Sequence, residues 1–507
     1  MTSPGPWTYE QALAWLEAHV NLEAGTTWPE PDLGRMRQLC RLMGDPQSAY
    51  PVIHLTGTNG KGSTTRMITA LLAARGLTVG TYTSPDLEAV NERLAVTSGR
   101  ISAFEDDTDR GGGDEDDPGE DGSGAPTADA GGPARGRPDR IGDPPVDDPA
   151  DGVAGARPPE TEPIADGDLA AVLQAVAGLE ELLDRPVTRF EILTAAAFRW
   201  FADIAVDVAV VEVGLGGRHD ATNVAVADVA VVTNVSLDHE DIIGPRLEDI
   251  AREKAGIVEP GCTLVLGEVG DLLPVFREAG AAKVWELGRH FGVTADRAAV
   301  GGRLVTLRTP GGAYDDVFLP VHGAHQATNA ALAVAAVEAF FEEPPAPEVV
   351  GEGFAGLRLP GRMEVVGRHP LVLLDGAHNA AGARAAGATL TEEFAGDGGL
   401  IAVVGMLRGR DPEEMLRSLG LAGARLVVGC PAPSPRTRPA SDVVAAARAL
   451  GVEAVVAGSV AEAVDTALAA AGEEDRVLIT GSLYVVGAAR TALRARGADV
   501  GDQGRQR

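Results

Sequence analysis

The run Val52-Ile53-His54-Leu55 passes directly into Thr56-Gly57-Thr58-Asn59-Gly60-Lys61-Gly62-Ser63-Thr64 and then into MITALLAARG (67–76). A buried strand that stops at a glycine-rich loop and resumes as an amphipathic helix restricts the fold sharply. It calls for an open, largely parallel sheet with helices on its faces. It also aims backbone N–H groups and a helix N-terminus at one spot, which is suited to phosphate. Thr58, Asn59, Gly60, Lys61, Gly62 and Ser63 are therefore candidate nucleotide contacts. Lys61 would reach the β- and γ-phosphates, and Ser63 would offer its hydroxyl to Mg²⁺. The loop departs from the general phosphate-loop pattern twice: Leu55 stands at the first glycine position, and Gly62 follows the lysine. Alone, it says nucleotide and not which reaction.

The rest of the chain repeats the alternation. Apolar runs at 52–55, 206–213, 229–232, 263–266, 371–374, 401–404, 426–428 and 476–480 predict strands. Stretches at 64–75, 192–201, 247–255, 327–341, 380–394, 442–450 and 460–471 predict helices. The fold class is α/β: a doubly wound N-terminal domain carrying the phosphate loop, and a smaller Rossmann-like C-terminal domain. Residues 293–319 alternate polar and apolar side chains and predict hairpins. A boundary near Leu359-Pro360-Gly361 gives domains 1–358 and 359–500 with a tail at 501–507. Residues 105–163 hold eighteen acidic side chains against five arginines, with many Gly and Pro and almost no large apolar groups. Such a composition buries too little to offset its ordering entropy, so the stretch is expected to be a disordered insertion dispensable for catalysis.

Charge removes whole classes of function. The 507 residues carry 43 basic and 74 acidic side chains, a net charge of −31, which repels nucleic acid and anionic membrane alike. Any anionic substrate needs a local positive site. Cys40, Cys262 and Cys430 are far apart with no CxxC, so neither a disulfide framework nor a zinc cluster is indicated. No leader-like segment opens the chain and no run of about 18 apolar residues occurs. A cytoplasmic, reduced, monomeric protein is expected. Of the 43 basic residues only Lys61, Lys254 and Lys283 are lysine. A lysine kept in an arginine-writing chain suggests a need for a compact or neutral amine.

TGTNGKGS resembles the phosphate loop of the Mur-ligase superfamily, and its GKGS ending is similar to that of the folylpolyglutamate synthase/dihydrofolate synthase family. Further blocks occur in that family's order: TSPDL (83–87), NERL (91–94), RFE (189–191), EVGLGGRHDATN (212–223), TNVSLDH (233–239), EKAGI (253–257), GAHQATNAALA (323–333), LPGRME (359–364), DGAHN (375–379), GML (405–407) and GSLYVVG (481–487). The resemblance covers the chain apart from the acidic insertion. It implies ATP-dependent ligation of L-glutamate to a folate or dihydropteroate carboxylate through an acylphosphate. Two Mg²⁺ ions and room for a monovalent cation come with it.

Residue by residue, the resemblance makes Ser63, Ser84, Glu212, His239 and Lys254 metal ligands, with Lys254 carbamylated and His239 and Lys254 at the second metal. Asn329, Arg362 and Asp375 join the nucleotide contacts. Asp32, Leu33, Gly34, Thr188, Arg189, Phe190, Glu191, His219, Asp220 and Ala221 form the pterin side, and His378 serves the incoming amino acid. The residues argue in the same direction for Glu212 and His239. Each ends an apolar strand, where parallel sheets present ligand groups. For Lys254 the residues alone favour an ordinary helix lysine paired with Glu253 or Asp249. Asp86 stands where the family has His, His219 where it commonly has Leu, and Arg408-Gly409-Arg410-Asp411 where Asp-Lys-Asp is frequent, so no role is assigned to that last segment. Two rivals remain: a Mur ligase acting on a UDP-sugar peptide, disfavoured because about fifty residues precede the loop, and a silent nucleotide-binding scaffold.

Overall fold

The computed structural model describes residues 5–21, 32–99, 160–238 and 243–498. The phosphate-loop strand β1 (Val52–Thr56) lies inside an eight-stranded sheet with β2 (Val79–Tyr82), β3 (Leu94–Thr97), β4 (Thr161–Pro163), β5 (Val208–Glu212), β6 (Val229–Asn234), β7 (Thr263–Glu268) and β8 (Lys283–Glu286), in the order β4-β3-β2-β5-β1-β6-β7-β8. From β2 to β8 every pairing is parallel. β3 and β4 add an antiparallel edge, a departure from an all-parallel expectation. Helices Lys61–Ala74 and Ala324–Phe341 bury Ile68, Leu71, Leu72, Leu332 and Val334 against one face, and helix Arg189–Asp203 buries Ile192, Leu193 and Phe198 on the other. A sheet sealed on both faces explains why β1, β5 and β6 are nearly unbroken apolar runs.

Register positions the functional ends. Leu55 pairs with Glu212 and Thr56 with Val232, so the loop leaves the sheet between Glu212 and the TNVS segment. Tyr82 pairs with Val211, which brings Ser84 out at the same edge.

The predicted hairpins form a three-stranded antiparallel sheet of β9 (Gly292–Ala299), β10 (Gly302–Arg308) and β11 (Ala313–Leu319). The C-terminal sheet contains β12 (Glu364–Arg368), β13 (Leu371–Leu374), β14 (Leu400–Val404), β15 (Leu426–Gly429), β16 (Ala454–Val456) and β17 (Arg476–Thr480), ordered β12-β13-β17-β14-β15-β16. It is parallel except for the β12 edge. Both large sheets belong to one compact unit, joined by enclosed charges. Arg303 pairs with Asp296 at 2.7 Å and with Glu393 of helix Ala380–Glu393. Arg490 of helix Leu483–Arg494, fully buried, pairs with Glu364 and with Glu88 at 3.2 Å.

The acidic stretch needs one correction. Glu160 to Pro163 are not part of a structureless insertion: Thr161–Pro163 pairs with β3, and the Thr161 and Thr97 hydroxyls hydrogen-bond at 2.8 Å. Its local composition is poor for a strand, but a ready-made edge supplies the ladder partners. The remainder of 105–163 lies outside the described residues. Deleting residues 106–157, which spares β4, is expected to leave activity within a few-fold of the intact chain in a steady-state assay. A large loss in a still-folded deletion would show that the segment reaches the site.

Candidate active site

The loop is held open by its neighbours. The Asn59 N–H donates to Asn234 Oδ1 at 3.0 Å, while Asn234 Nδ2 and the Thr233 hydroxyl both donate to the Asn59 carbonyl. Thr58 Oγ1 donates to the Ser236 carbonyl and accepts from its N–H. Gly60 has φ +83°, and a Cβ there would lie 2.6 Å from Asn329 Oδ1, so only glycine lets the loop turn against helix Ala324–Phe341. Helix Lys61–Ala74 starts on the next residue. The Lys61 ammonium folds back to donate to the Gly57 carbonyl at 3.1 Å. Its main partner is thus a backbone oxygen of its own loop, leaving it free to serve a phosphate.

Two cavities flank the helix start. The first is lined by Ser63, Arg66, Ser84, Glu92, Glu212 and Arg362 among others. The Ser84 N–H donates to Glu212 Oε2 at 3.3 Å. Burial pushes the Glu212 carboxyl up, and Lys61, the Ser84 N–H, Arg362 and Arg66 pull it back. A desolvated carboxylate with two hydroxyls around one space, beside a phosphate loop, fits a hard oxygen-seeking cation such as Mg²⁺. Asp375 does not face this space freely. It is buried, and its oxygens accept the N–H groups of Met363 (3.0 Å) and Ala377 (2.9 Å), which ties the Arg362 loop to DGAHN. Asp86 pairs with Arg93 at 2.5 Å.

The second cavity is lined by Thr58, Lys61, Gly216, Asp238, Lys254 and His378 among others. Lys254 is buried, and its amine is brought down to about 7, first by desolvation and then by the charge of Lys61. Its expected partners are engaged elsewhere: Glu253 accepts from the His219 N–H, and Asp249 pairs with Arg246 and Arg252. His378 Nδ1 lies 3.0 Å from the Gly376 carbonyl and Nε2 lies 3.8 Å from Asp238, with burial lowering its pKa. His239 lies outside the described residues. Among the described residues no three His, Cys, Asp or Glu side chains cluster as metal ligands.

The expected pterin side is only partly assembled as free groups. Phe190 lies beneath Gly214, where a Cβ would come within 2.5 Å of its ring. Thr188 and Glu191 cap helix Arg189–Asp203 reciprocally, Arg35 donates to Glu191 at 3.1 Å, and Asp32 accepts the Gly34 N–H at 2.7 Å beside buried Leu33. Arg189 pairs with Glu17. Asp220 turns inward: Oδ1 accepts from the Thr222 N–H and hydroxyl, and Oδ2 accepts from the Leu215 N–H at 2.9 Å. Burial raises its carboxyl to about 6 despite those bonds. It shapes the glycine segment next to buried Ala221 rather than presenting a free carboxylate, while His219 is exposed against Glu253.

Residues with no assigned role also enter the site. Arg66 faces the first cavity. At the second, Asp238 pairs with Arg410 and accepts from Asn379 Nδ2 at 3.0 Å, and the same amide donates to Asn59 Oδ1 at 3.0 Å. The RGRD segment thus reaches across to the loop after β6. Its only sequence signal was its place after GML.

Residues 179–337 match the Mur ligase middle domain, and residues 361–483 match the Mur ligase, glutamate ligase domain. The dihydrofolate synthase/folylpolyglutamate synthase of Mycobacterium tuberculosis is 36% identical over 500 residues, covering 92% of this chain and 91% of the relative. The fold is similar to that of M. tuberculosis folylpolyglutamate synthase complexed with ADP, with a TM-score of 0.77, 33% identity and coverage of 95% and 97%. It is also similar to the bifunctional folylpolyglutamate synthase/dihydrofolate synthase of Yersinia pestis complexed with AMPPNP and Mn ion, with a TM-score of 0.73, 26% identity and coverage of 97% and 100%.

Proposed function

Because the chain belongs to the folylpolyglutamate synthase/dihydrofolate synthase family of Mur ligases, we propose that it joins L-glutamate to the carboxylate of a folate or dihydropteroate, driven by ATP. The acceptor carboxylate oxygen attacks the γ-phosphorus of ATP, giving an acylphosphate and ADP. The glutamate amino group then attacks the acyl carbon, the C–O bond to phosphate breaks, and amide, phosphate and a proton leave. The observation that carries this reading is one cavity lined by Gly62 and Ser63 of the glycine loop, the Glu212 carboxylate beside them, and Arg362 arriving from the C-terminal side, with Lys61 lining the cavity on the loop's other side.

Each group has a task. Lys61 and the loop N–H groups hold the phosphates, with Asn329 seated against the loop and Asp375 fixing the loop that carries Arg362. Arg362 faces the charge that develops on transfer. Ser63, Ser84 and Glu212 would hold one Mg²⁺, which when bound supplies charge neutralisation at the phosphoryl oxygens. His239 and Lys254, the latter as a carbamate, would serve a second. Phe190 and the glycine segment border the acceptor, and His378 the incoming glutamate. Residues 1–358 and 359–500 act as two domains whose approach excludes water from the acylphosphate. The chain is proposed to act as a monomer. The net charge of −31 supports a cytoplasmic enzyme of small molecules rather than a partner of nucleic acid or anionic lipid. Among the described residues no helix is long and apolar enough to cross a membrane.

The test is an incubation of the purified chain with ATP, L-glutamate and either dihydropteroate or folate, counting added glutamates by mass. Phosphate release that needs both glutamate and an acceptor is expected. ATP turnover indifferent to both, or none with properly folded protein, would favour the scaffold and overturn the reading.

A further inference from the structure

Among the described residues the fully buried arginines are paired: Arg93 with Asp86, Arg303 with Asp296 and Glu393, Arg490 with Glu88 and Glu364. Arg66 breaks the pattern. It is half-buried on helix Lys61–Ala74 and lines the first cavity, yet it forms no hydrogen bond or ion pair with any described residue. The carboxylates that face it are otherwise engaged. Glu92 accepts the N–H groups of Leu87, Glu88 and Ala89, and Glu212 accepts that of Ser84. Leaving a partly desolvated guanidinium without a hydrogen-bonded partner is costly even with carboxylates nearby, and a planar fork of donors suits a carboxylate.

We propose that Arg66 receives the carboxylate of the acceptor substrate and holds it for phosphoryl transfer. The inference rests on the ligase reading above. Position sets this role beside the nucleotide, since Ser63 and Arg362 of the nucleotide side line the same cavity as Arg66 while the Lys61 grip lies in the other. Lys61 and Thr58 line the other cavity, whereas Arg66 lies five residues further along the helix, about 7.5 Å at 1.5 Å per residue, on the cavity it shares with Ser84 and Arg362. A carboxylate approaching the γ-phosphate of ATP brings like charges together, and a cation on the acceptor's side lowers that repulsion. One oxygen held by the guanidinium leaves the other to attack phosphorus. Because the fork reads only the carboxylate, it serves the benzoyl carboxyl of a pteroate and the γ-carboxyl of a glutamyl acceptor alike.

The experiment compares intact chain, Arg66→Met and Arg66→Lys in steady-state ligation and in thermal unfolding with ADP or folate. Loss of a charge-assisted contact predicts an acceptor KM raised about tenfold or more in Arg66→Met, an ATP KM within about twofold, and a lower kcat. ADP should still raise the unfolding temperature, while folate no longer does. Arg66→Lys should regain part of the acceptor affinity, and it carries the test alone if Arg66→Met does not fold. An unchanged acceptor KM, or ATP and acceptor KM rising together, would overturn the assignment. A wild-type chain that fails to ligate glutamate would instead overturn the ligase reading.

Discussion

Lys61→Ala is expected to lower kcat by about 10²–10³-fold, the range typical of removing one preorganised charge from a phosphoryl- or acyl-transfer site. The protein should stay folded. Among the described residues the ammonium donates only to the Gly57 and Thr58 carbonyls of its own loop, so little of the fold depends on it. The substitution therefore separates catalysis from stability. Steady-state turnover should collapse while the unfolding midpoint moves little, and ADP binding should weaken. Near-normal turnover in a folded Lys61→Ala protein would remove Lys61 from the phosphoryl-transfer step.

What was legible in the sequence was contiguous. The glycine loop lies within nine residues, and its strand and helix announce themselves by periodicity. Glu212 and Ser84 were reachable because strand ends in a parallel sheet share an edge, and the register of β1, β5 and β2 brings them there. The edge strands were not legible. β4 reads TEP in a Pro- and Asp-rich stretch, and β3 antiparallel to β2 depends on partners that local composition does not reveal.

The missed site residues share a cause. Arg66 sits inside a regular amphipathic helix and looks like a solvent-facing arginine until helix Lys61–Ala74 is placed against the cleft. The Asp238–Arg410 pair and the Asn379 amide that joins Asn59 to Asp238 connect residues more than 140 positions apart. Such pairings are properties of two sheets brought together, not of spacing. Asp220 shows what a resemblance does not reveal: burial and three donors turn its carboxylate toward its own loop.

Lys254→Arg is expected to cost at least about tenfold, and up to about a hundredfold, in kcat, the range seen when a group supporting a metal site is lost. Two readings of this residue differ in the sign of its charge. An ordinary helix lysine keeps a positive charge, which arginine preserves, so activity would survive. A carbamate is a carboxylate on a long arm, formed when the neutral amine attacks CO₂ and releases a proton. Arginine cannot form it because its guanidinium stays protonated. The structure removes the first reading's partners, since Glu253 and Asp249 are taken by His219, Arg246 and Arg252. It also supplies what the second needs: a buried amine at about 7, next to Lys61, in a cavity shared with Asp238. The sign of the pH effect follows. Above about pH 7 the free amine is mostly neutral and open to CO₂, and below it protonation withdraws the nucleophile, so activity should become more dependent on added bicarbonate as the pH falls through 7. Short-chain carboxylates such as acetate should partly restore a Lys254→Ala protein, and isotope-labelled bicarbonate should mark one lysine in the intact chain. Full activity of Lys254→Arg, with no labelled lysine in the wild type, would return Lys254 to the role of a plain buried amine.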